Sequence, residues 1–248
     1  MTNNPLRPHP TLKRYYDSDD ERSALVRTLF DSGAPSYEWI CNLMSFGTGE
    51  RYRRQALVDS GVSNTCRVLD VATGTGLVLR SLENLTSSGG IAIGLDPSWG
   101  MLTQCRARCE APLVQAVGER LPFVNRSFDV VTMGYGLRHV EDLRLLFLEL
   151  HRVLSPGGKL FILELTQPQS RLARMVNRLY LKTFLPRMSY LITQSRDARR
   201  MMEYFWDTIE NCVSPGIVLE ALHDCGFVDG RQKVSLGTLS EYTAIRSN

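Results

Sequence analysis

The run Val68-Leu69-Asp70-Val71-Ala72-Thr73-Gly74-Thr75-Gly76 passes from apolar, strand-forming positions straight into a glycine turn. Val68, Leu69 and Val71 suit a strand buried in a parallel sheet, while Gly74 and Gly76 let the backbone approach a ligand without a Cβ in the way. A second apolar run, Ile91-Ala92-Ile93-Gly94-Leu95, ends on Asp96, about twenty residues beyond the turn. Strand, glycine turn and acid at the end of the next strand form the layout of a nucleotide-type site. There the turn backbone meets the ligand and the acid accepts hydrogen bonds from ribose hydroxyls. The competing reading is a tight turn with no ligand.

Two cofactor classes use this layout, and the side chains separate them. A dinucleotide site takes G-x-G-x-x-G, its third glycine allowing close packing of helix on strand and its helix N-terminus facing a pyrophosphate. Here the third position is Leu79, and Asp70 precedes the turn. An acid there repels a pyrophosphate but suits a cofactor that carries an ammonium and a sulfonium. S-adenosylmethionine is that cofactor, with S-adenosylhomocysteine as its spent form.

Composition narrows the classes further. A chain of 248 residues, 43% of them hydrophobic, holds one α/β domain with an added cap. A net charge of +3 is too small and too evenly spread to make nucleic acid a main partner. No apolar run reaches membrane-span length, and Met1-Thr2-Asn3-Asn4-Pro5 lacks the apolar core of a signal peptide. The expectation is a soluble, cytoplasmic protein. Cys41, Cys66, Cys105, Cys109, Cys212 and Cys225 are scattered, as are His9, His139, His151 and His223, so neither disulfides nor a metal site is expected.

Along the chain, the first fifteen or so residues carry three prolines and no periodicity and read as a loose tail. Leu25, Val26, Leu29 and Phe30 then recur at helical spacing, and residues 37–44 and 51–58 continue as helices able to lie over the cofactor edge of a sheet. Strands are expected at 67–71, 91–95, 113–116, 128–133 and 160–165, with helices at 76–83, 99–109 and 142–154. Asp142 is placed to cap the last of these helices, and Ser155-Pro156-Gly157-Gly158 to end it. Residues 171–206 break the alternation as a helical insertion; Ser214-Pro215 opens another helix, and strands at 231–236 and 239–245 close the chain. The fold class is therefore α/β, a doubly wound seven-stranded sheet in a single domain. Residues 1–60 form an N-terminal cap, 61–167 the cofactor core, 168–213 a helical lid, and 214–248 a final helix and strands.

Further motifs fix the kind of sheet. Leu43-Met44-Ser45-Phe46-Gly47, the glycine turn, Glu119-Arg120-Leu121-Pro122-Phe123, Ser127-Phe128-Asp129-Val130-Val131, Gly136-Leu137-Arg138 and Arg152-Val153-Leu154-Ser155-Pro156-Gly157-Gly158 stand in one order. In that order the chain resembles the ubiquinone and menaquinone biosynthesis C-methyltransferases, most strongly over residues 30–167. The resemblance implies a class I methyltransferase that binds S-adenosylmethionine. It implies cofactor contacts at Asp70, Thr73, Gly74, Thr75, Gly76 and Asp96, an adenine bracket at Val117 and Gly118, and further contacts at Gly134, Tyr135 and Met101. Departures from the family pattern fall at Glu38, Cys41, Gly49-Glu50, His139 and 239–243. They point to a specialised-metabolite acceptor of quinol, phenol, polyketide or isoprenoid type.

Methyl transfer from a sulfonium is an in-line displacement, so the protein has chiefly to align the groups and exclude water. A carbon nucleophile needs electron density from a neighbouring hydroxyl, which gives His139 the expected role of base, Arg138 that of oxyanion partner and Tyr37 that of pocket wall. The competing reading pairs Arg138 and His139 with Glu141 or Asp142. O- or N-methylation, a non-methylating cyclase or binder, and a nicotinamide dehydrogenase are the alternatives. In the insertion, Arg171, Arg174, Arg178, Lys182, Arg187, Arg196, Arg199 and Arg200 face only Asp197 and Glu203. Interleaved apolar side chains make it a lid over a hydrophobic small-molecule acceptor or a peripheral membrane contact. The sequence does not fix an oligomeric state, and a dimer is compatible with it.

Overall fold

The computed structural model describes residues 5–86 and 89–248, so Met1 to Asn4 of the expected tail lie outside it. Seven strands, β1 Arg67–Val71, β2 Ile91–Asp96, β3 Leu113–Gln115, β4 Phe128–Gly134, β5 Leu154–Leu165, β6 Phe227–Ser235 and β7 Leu239–Arg246, form one sheet in the order β3-β2-β1-β4-β5-β7-β6. β1 runs parallel to β2 and β4, and among the described residues only the β7 pairings are antiparallel. Strand order reverses between β1 and β4, so their carboxyl ends open a crevice where an open α/β sheet takes its ligand.

Helices α1 Asp19–Met44 and α2 Gly49–Asp59 precede the sheet. Then come α3 Leu79–Thr86, α4 Trp99–Arg106, α5 Leu143–Val153, α6 Arg171–Asn177, a π-helical stretch Arg178–Phe184, α7 Leu185–Thr193, α8 Arg196–Asn211 and α9 Pro215–Asp224. One face of the sheet packs on α5 and α9 through Leu146, Phe147, Leu150, Val218 and Leu222. The other packs on α2 and α3 through Leu57, Leu79 and Leu82. Ile40 of α1, Leu185 of α7 and Met201, Met202 and Phe205 of α8 make a separate cluster outside both.

Several boundaries differ from the sequence expectation for physical reasons. The helix after the glycine turn begins at Leu79 rather than Gly76, because Gly76 sits at φ +88°, which an α-helix excludes. The first two of the three expected N-terminal helices are one, α1, which runs through Pro35, and the third is α2. A proline removes the hydrogen bond to the residue four back, here Asp31, and Gly100 of α4 packs against that freed backbone: a Cβ on Gly100 would lie 2.6 Å from the Asp31 carbonyl oxygen. The tail is tied down. Asp142, which caps α5, also accepts from the Leu6 N–H; the Leu6 carbonyl accepts from Leu143 N–H and the Pro8 carbonyl from Val213 N–H; His9 and Tyr16 are buried. β5 starts at Leu154 directly after α5, and Ser155 to Gly158 form a bulge in its pairing with β4.

Candidate active site

At the sheet's reversal point lies a cavity of about 220 Å³, walled by the ends of β1, β2 and β4 on one side and by Ser23, Val26, Arg27, Phe30 and Tyr37 of α1 on the other. The apolar spacing that specifies α1 thus supplies a wall of the cavity as well as a packing face. Two acids hold α1 in place. Asp31 accepts from Ser98 Oγ at 2.6 Å and Gly100 N at 2.9 Å, and Glu38 lies 3.2 Å from Arg80 and 3.3 Å from Arg108.

The floor carries strain that only a few side chains allow. Ala72 follows β1 at φ +55° and Tyr135 follows β4 at φ +61°, both in the left-handed region. Gly136 accommodates that turn, because a Cβ there would lie 2.6 Å from the Ala72 Cβ. Gly74 has φ +57° and nothing within 4 Å of where a Cβ would stand, so its backbone opens onto the cavity. Asp96 takes the Gly74 N–H at 2.8 Å and the Ser98 N–H at 2.9 Å. A carboxylate has about four acceptor sites, so two remain for a ribose diol. Burial pushes the Asp96 pKa up to about 6, against the opposing pull of those two N–H groups.

Of the expected site residues, Tyr37, Gly74, Asp96, Met101, Val117, Gly118, Gly134, Tyr135 and His139 line the cavity. Asp70, Thr73, Thr75, Gly76 and Arg138 are not among its lining residues. Asp70 is fully buried behind the turn, where Thr73 Oγ1 at 2.7 Å and Thr132 Oγ1 at 2.6 Å donate to it, and burial raises its pKa to about 7. It braces the turn from within rather than meeting an ammonium directly. Gly76 serves packing, since a Cβ there would lie 2.5 Å from Cys109 Sγ and 2.8 Å from Cys105 Sγ. Leu79, in the place of the dinucleotide glycine, packs on Gly94 of β2; the missing side chain has moved from helix to strand.

The pairing of Arg138 with Glu141 or Asp142 does not occur. Its fully buried guanidinium donates to Glu164 Oε1 at 2.8 Å, Thr208 Oγ1 at 2.7 Å and the Phe205 carbonyl at 3.3 Å, and stacks 4.3 Å over the Phe205 ring. Its Nη2 has no hydrogen-bond partner among the described residues, but the side chain is fully buried and does not line the cavity. His139 does face the cavity, with Phe30 edge-on at 4.9 Å and Tyr204 and Phe205 behind it. Burial first, then the charges of Arg138 and Arg22, hold its pKa well below the ordinary histidine range. Both ring nitrogens lack a hydrogen-bond partner among the described residues.

Other expectations about the acceptor side change as well. Cys41, Gly49 and Glu50 do not line the cavity, and 239–243 lie in β7, where Glu241 accepts from Tyr52. Among the described residues, none of 168–213 lines it either; the insertion reaches it only through the rings of Tyr204 and Phe205 behind His139. Arg27, Glu119 and Glu141 are lining residues that sequence reasoning missed as site residues. For Arg27 the signal was its place next to Val26 on a helix read as lying over the cofactor edge; Glu119 lay in a motif already singled out.

Residues 16–245 match the profile of the ubiE/COQ5 methyltransferase family. A protein of Shewanella sp. (strain W3-18-1) named ubiquinone/menaquinone biosynthesis C-methyltransferase UbiE is 33% identical over 215 residues, 84% of each chain. The chain belongs to the ubiE/COQ5 methyltransferase family. Its counterpart in Shewanella oneidensis is 34% identical over the same length. In fold, the chain is similar to a methyltransferase from Thermotoga maritima (TM-score 0.63, 17% identity, 89% of this chain and 99% of that one). It is similar also to a Haemonchus contortus phosphoethanolamine N-methyltransferase solved with S-adenosylhomocysteine (TM-score 0.61, 16% identity, 88% of this chain and 58% of that one). This ubiE/COQ5 member is an S-adenosylmethionine-dependent methyltransferase with the α/β class I fold.

Proposed function

We propose that this enzyme methylates a carbon of a hydrophobic, hydroxyl-bearing small molecule, of quinol, phenol, polyketide or isoprenoid type. The observation that carries the reading is the pairing, in one cavity, of the open glycine turn and Asp96 with Phe30, Tyr37, Val140 and the half-buried imidazole of His139. S-adenosylmethionine, when bound, supplies an electrophilic methyl on a sulfonium. Gly74 would give it close backbone approach, Asp96 would accept from its ribose hydroxyls, and Met101, Val117 and Gly118 would flank its base. A Cβ at position 118 would lie 2.7 Å from Leu146 Cδ1, so glycine there spares Leu146 a shift.

His139 is assigned to the acceptor. A histidine kept far below neutrality is a poor base for a phenol, whose proton it would hold only weakly. With its pKa held below the ordinary range, the ring accepts the hydroxyl's hydrogen bond, concentrates electron density on the oxygen and sets the angle of the neighbouring carbon. Arg138 is a positioning residue: clamped by Glu164 and Thr208, it fixes the backbone from which His139 projects. Phe30, Tyr37 and Val140 exclude water.

The names of the Shewanella relatives support a quinol-type acceptor. The replacement at His139, which lines the cavity, supports a different member of that chemical class. The test is incubation with S-adenosylmethionine carrying a carbon-13 methyl and an extract of lipids and phenolics, followed by mass analysis and carbon NMR of the product. A new C-methyl resonance supports the proposal. A methoxy or N-methyl resonance refutes it.

A further inference from the structure

The insertion presents a surface that the chain itself does not cover. No residue of α6 or of the π-helical stretch after it is buried. Leu172, Met175, Val176 and Leu179, at helical spacing, form one outward stripe with exposures between 56 and 67%. Phe184, Leu191 and Ile192 are exposed further along the same hairpin. In the turn between α1 and α2, Phe46 is held out at φ +48° and is 77% exposed. It belongs to the same surface: its ring stacks on Tyr180 at 5.4 Å, and Tyr180 stacks on Phe184 at 5.6 Å.

Charge identifies what this surface meets. Between Thr166 and Arg196 the chain has no acid, while Arg171, Arg174, Arg178, Lys182 and Arg187 are all exposed. At about 100° per residue, Arg171 and Arg178 lie roughly a quarter to a third of a turn from the centre of the apolar stripe and Arg174 about two fifths, all on one side of it. Among the described residues, only Lys182 of these five has a carboxylate near, Glu210 at 3.7 Å, while Arg174 donates to the Pro168 carbonyl. A second copy would bring the same five cations against these in a two-fold contact, which like charges oppose. An anionic bilayer takes both features at once, since apolar side chains enter the acyl boundary and guanidinium groups stay among the headgroups. Among the described residues no helix is long and apolar enough to cross a membrane, so the contact is peripheral.

We propose that the face formed by α6, the π-helical stretch, Phe184 and Phe46 docks this enzyme on an anionic lipid bilayer. The proposal stands apart from the identity of the methyl acceptor, because docking is measured without turnover. The full chain is floated with vesicles of neutral phosphatidylcholine and with vesicles containing anionic phosphatidylglycerol, at low and high salt. Binding is expected to the anionic vesicles, with affinity falling about fivefold for each cation removed and with rising salt. Both Arg171→Gln/Arg174→Gln/Arg178→Gln and Leu172→Ser/Val176→Ser/Leu179→Ser are expected to abolish flotation while keeping the thermal stabilisation by S-adenosylhomocysteine that reports an intact fold. The proposal is overturned by equal binding to neutral vesicles, by absent binding at low salt, or by flotation unchanged in both variants. It is also overturned by a dimer in sedimentation that the leucine variant dissociates, which would assign the face to a second copy, or by loss of a protein partner rather than of vesicles.

Discussion

Asp96→Asn isolates the group on which the donor side of the cavity depends. The carboxylate receives two backbone N–H groups, from Gly74 and Ser98, one on each oxygen, and neither oxygen is expendable. Asparagine keeps one acceptor and turns an NH2 toward the other N–H, so the turn loses one internal hydrogen bond and the ribose loses one partner. Hydrogen bonds to a charged group contribute about 1.5–3 kcal/mol each. The bond lost inside the turn falls on the fold, and the one lost to the ribose costs binding about 1.5–3 kcal/mol, roughly a 10- to 150-fold weaker affinity. Titration calorimetry with S-adenosylhomocysteine measures this. The pH dependence gives a second, independent reading. Because burial raises the free protein's Asp96 pKa to about 6, its ionisation lowers stability as pH rises from the unfolded carboxylate range toward 6. Ligand hydroxyls donate to the ionised form and pull that pKa down, so affinity rises over the same interval, by up to about tenfold per pH unit, and levels off above 6. The asparagine variant should show no such slope. Affinity within threefold of the parent, or a flat parental profile between pH 5 and 8, would refute the role given to Asp96.

Three further outcomes are expected. Arg138→Ala leaves the buried Glu164 carboxylate unpaired at a cost of about 3–5 kcal/mol, a melting temperature lower by roughly 10 °C, whereas Arg138→Met/Glu164→Leu recovers most of it; equal losses in the two would show that the ion pair is not the cause. His139→Ala should lower kcat by about 10- to 100-fold and His139→Gln by less, with no titration limb between pH 6 and 8 in the parent. A thousandfold loss together with a limb near neutrality would restore His139 as a general base. Gly94→Ala drives a methyl to 2.7 Å from Leu79 Cδ2 and should cost about 1–3 kcal/mol in thermal unfolding; an unchanged midpoint would remove the packing account of Leu79.

The sheet was legible in the sequence because buried parallel strands are short apolar runs ended by glycine or an acid, and such runs name themselves. The donor side was legible for the same reason: Gly74, Asp96, Val117 and Gly134 sit at strand ends, and strand ends in this topology point to one crevice. Arg138 misled because adjacency in sequence suggested Glu141 and Asp142, while its partner Glu164 lies on β5, twenty-six residues away and brought close only by the sheet. Asp70 misled in the opposite way: it stands beside the turn in sequence, but strand alternation turns it inward, onto Thr132 of the next strand. The N-terminal prolines suggested a free tail because periodicity reports helices and strands, not an irregular segment held by backbone hydrogen bonds to Leu143 and Val213. The outward stripe of α6 was apolar on paper in the same way as a buried one, and only exposure distinguishes them.

The cluster joining α1, α7 and α8 shares no buried residue with the two that sandwich the sheet. Substitutions that reshape Ile40, Met201 or Phe205 can therefore tilt α1 and redraw one wall of the cavity while the strand ends keep their register. Natural variation has a place to act here that leaves the methyl donor alone. In a laboratory setting, libraries restricted to that cluster and to Val26, Phe30 and Tyr37 should change which molecules are accepted long before they compromise folding.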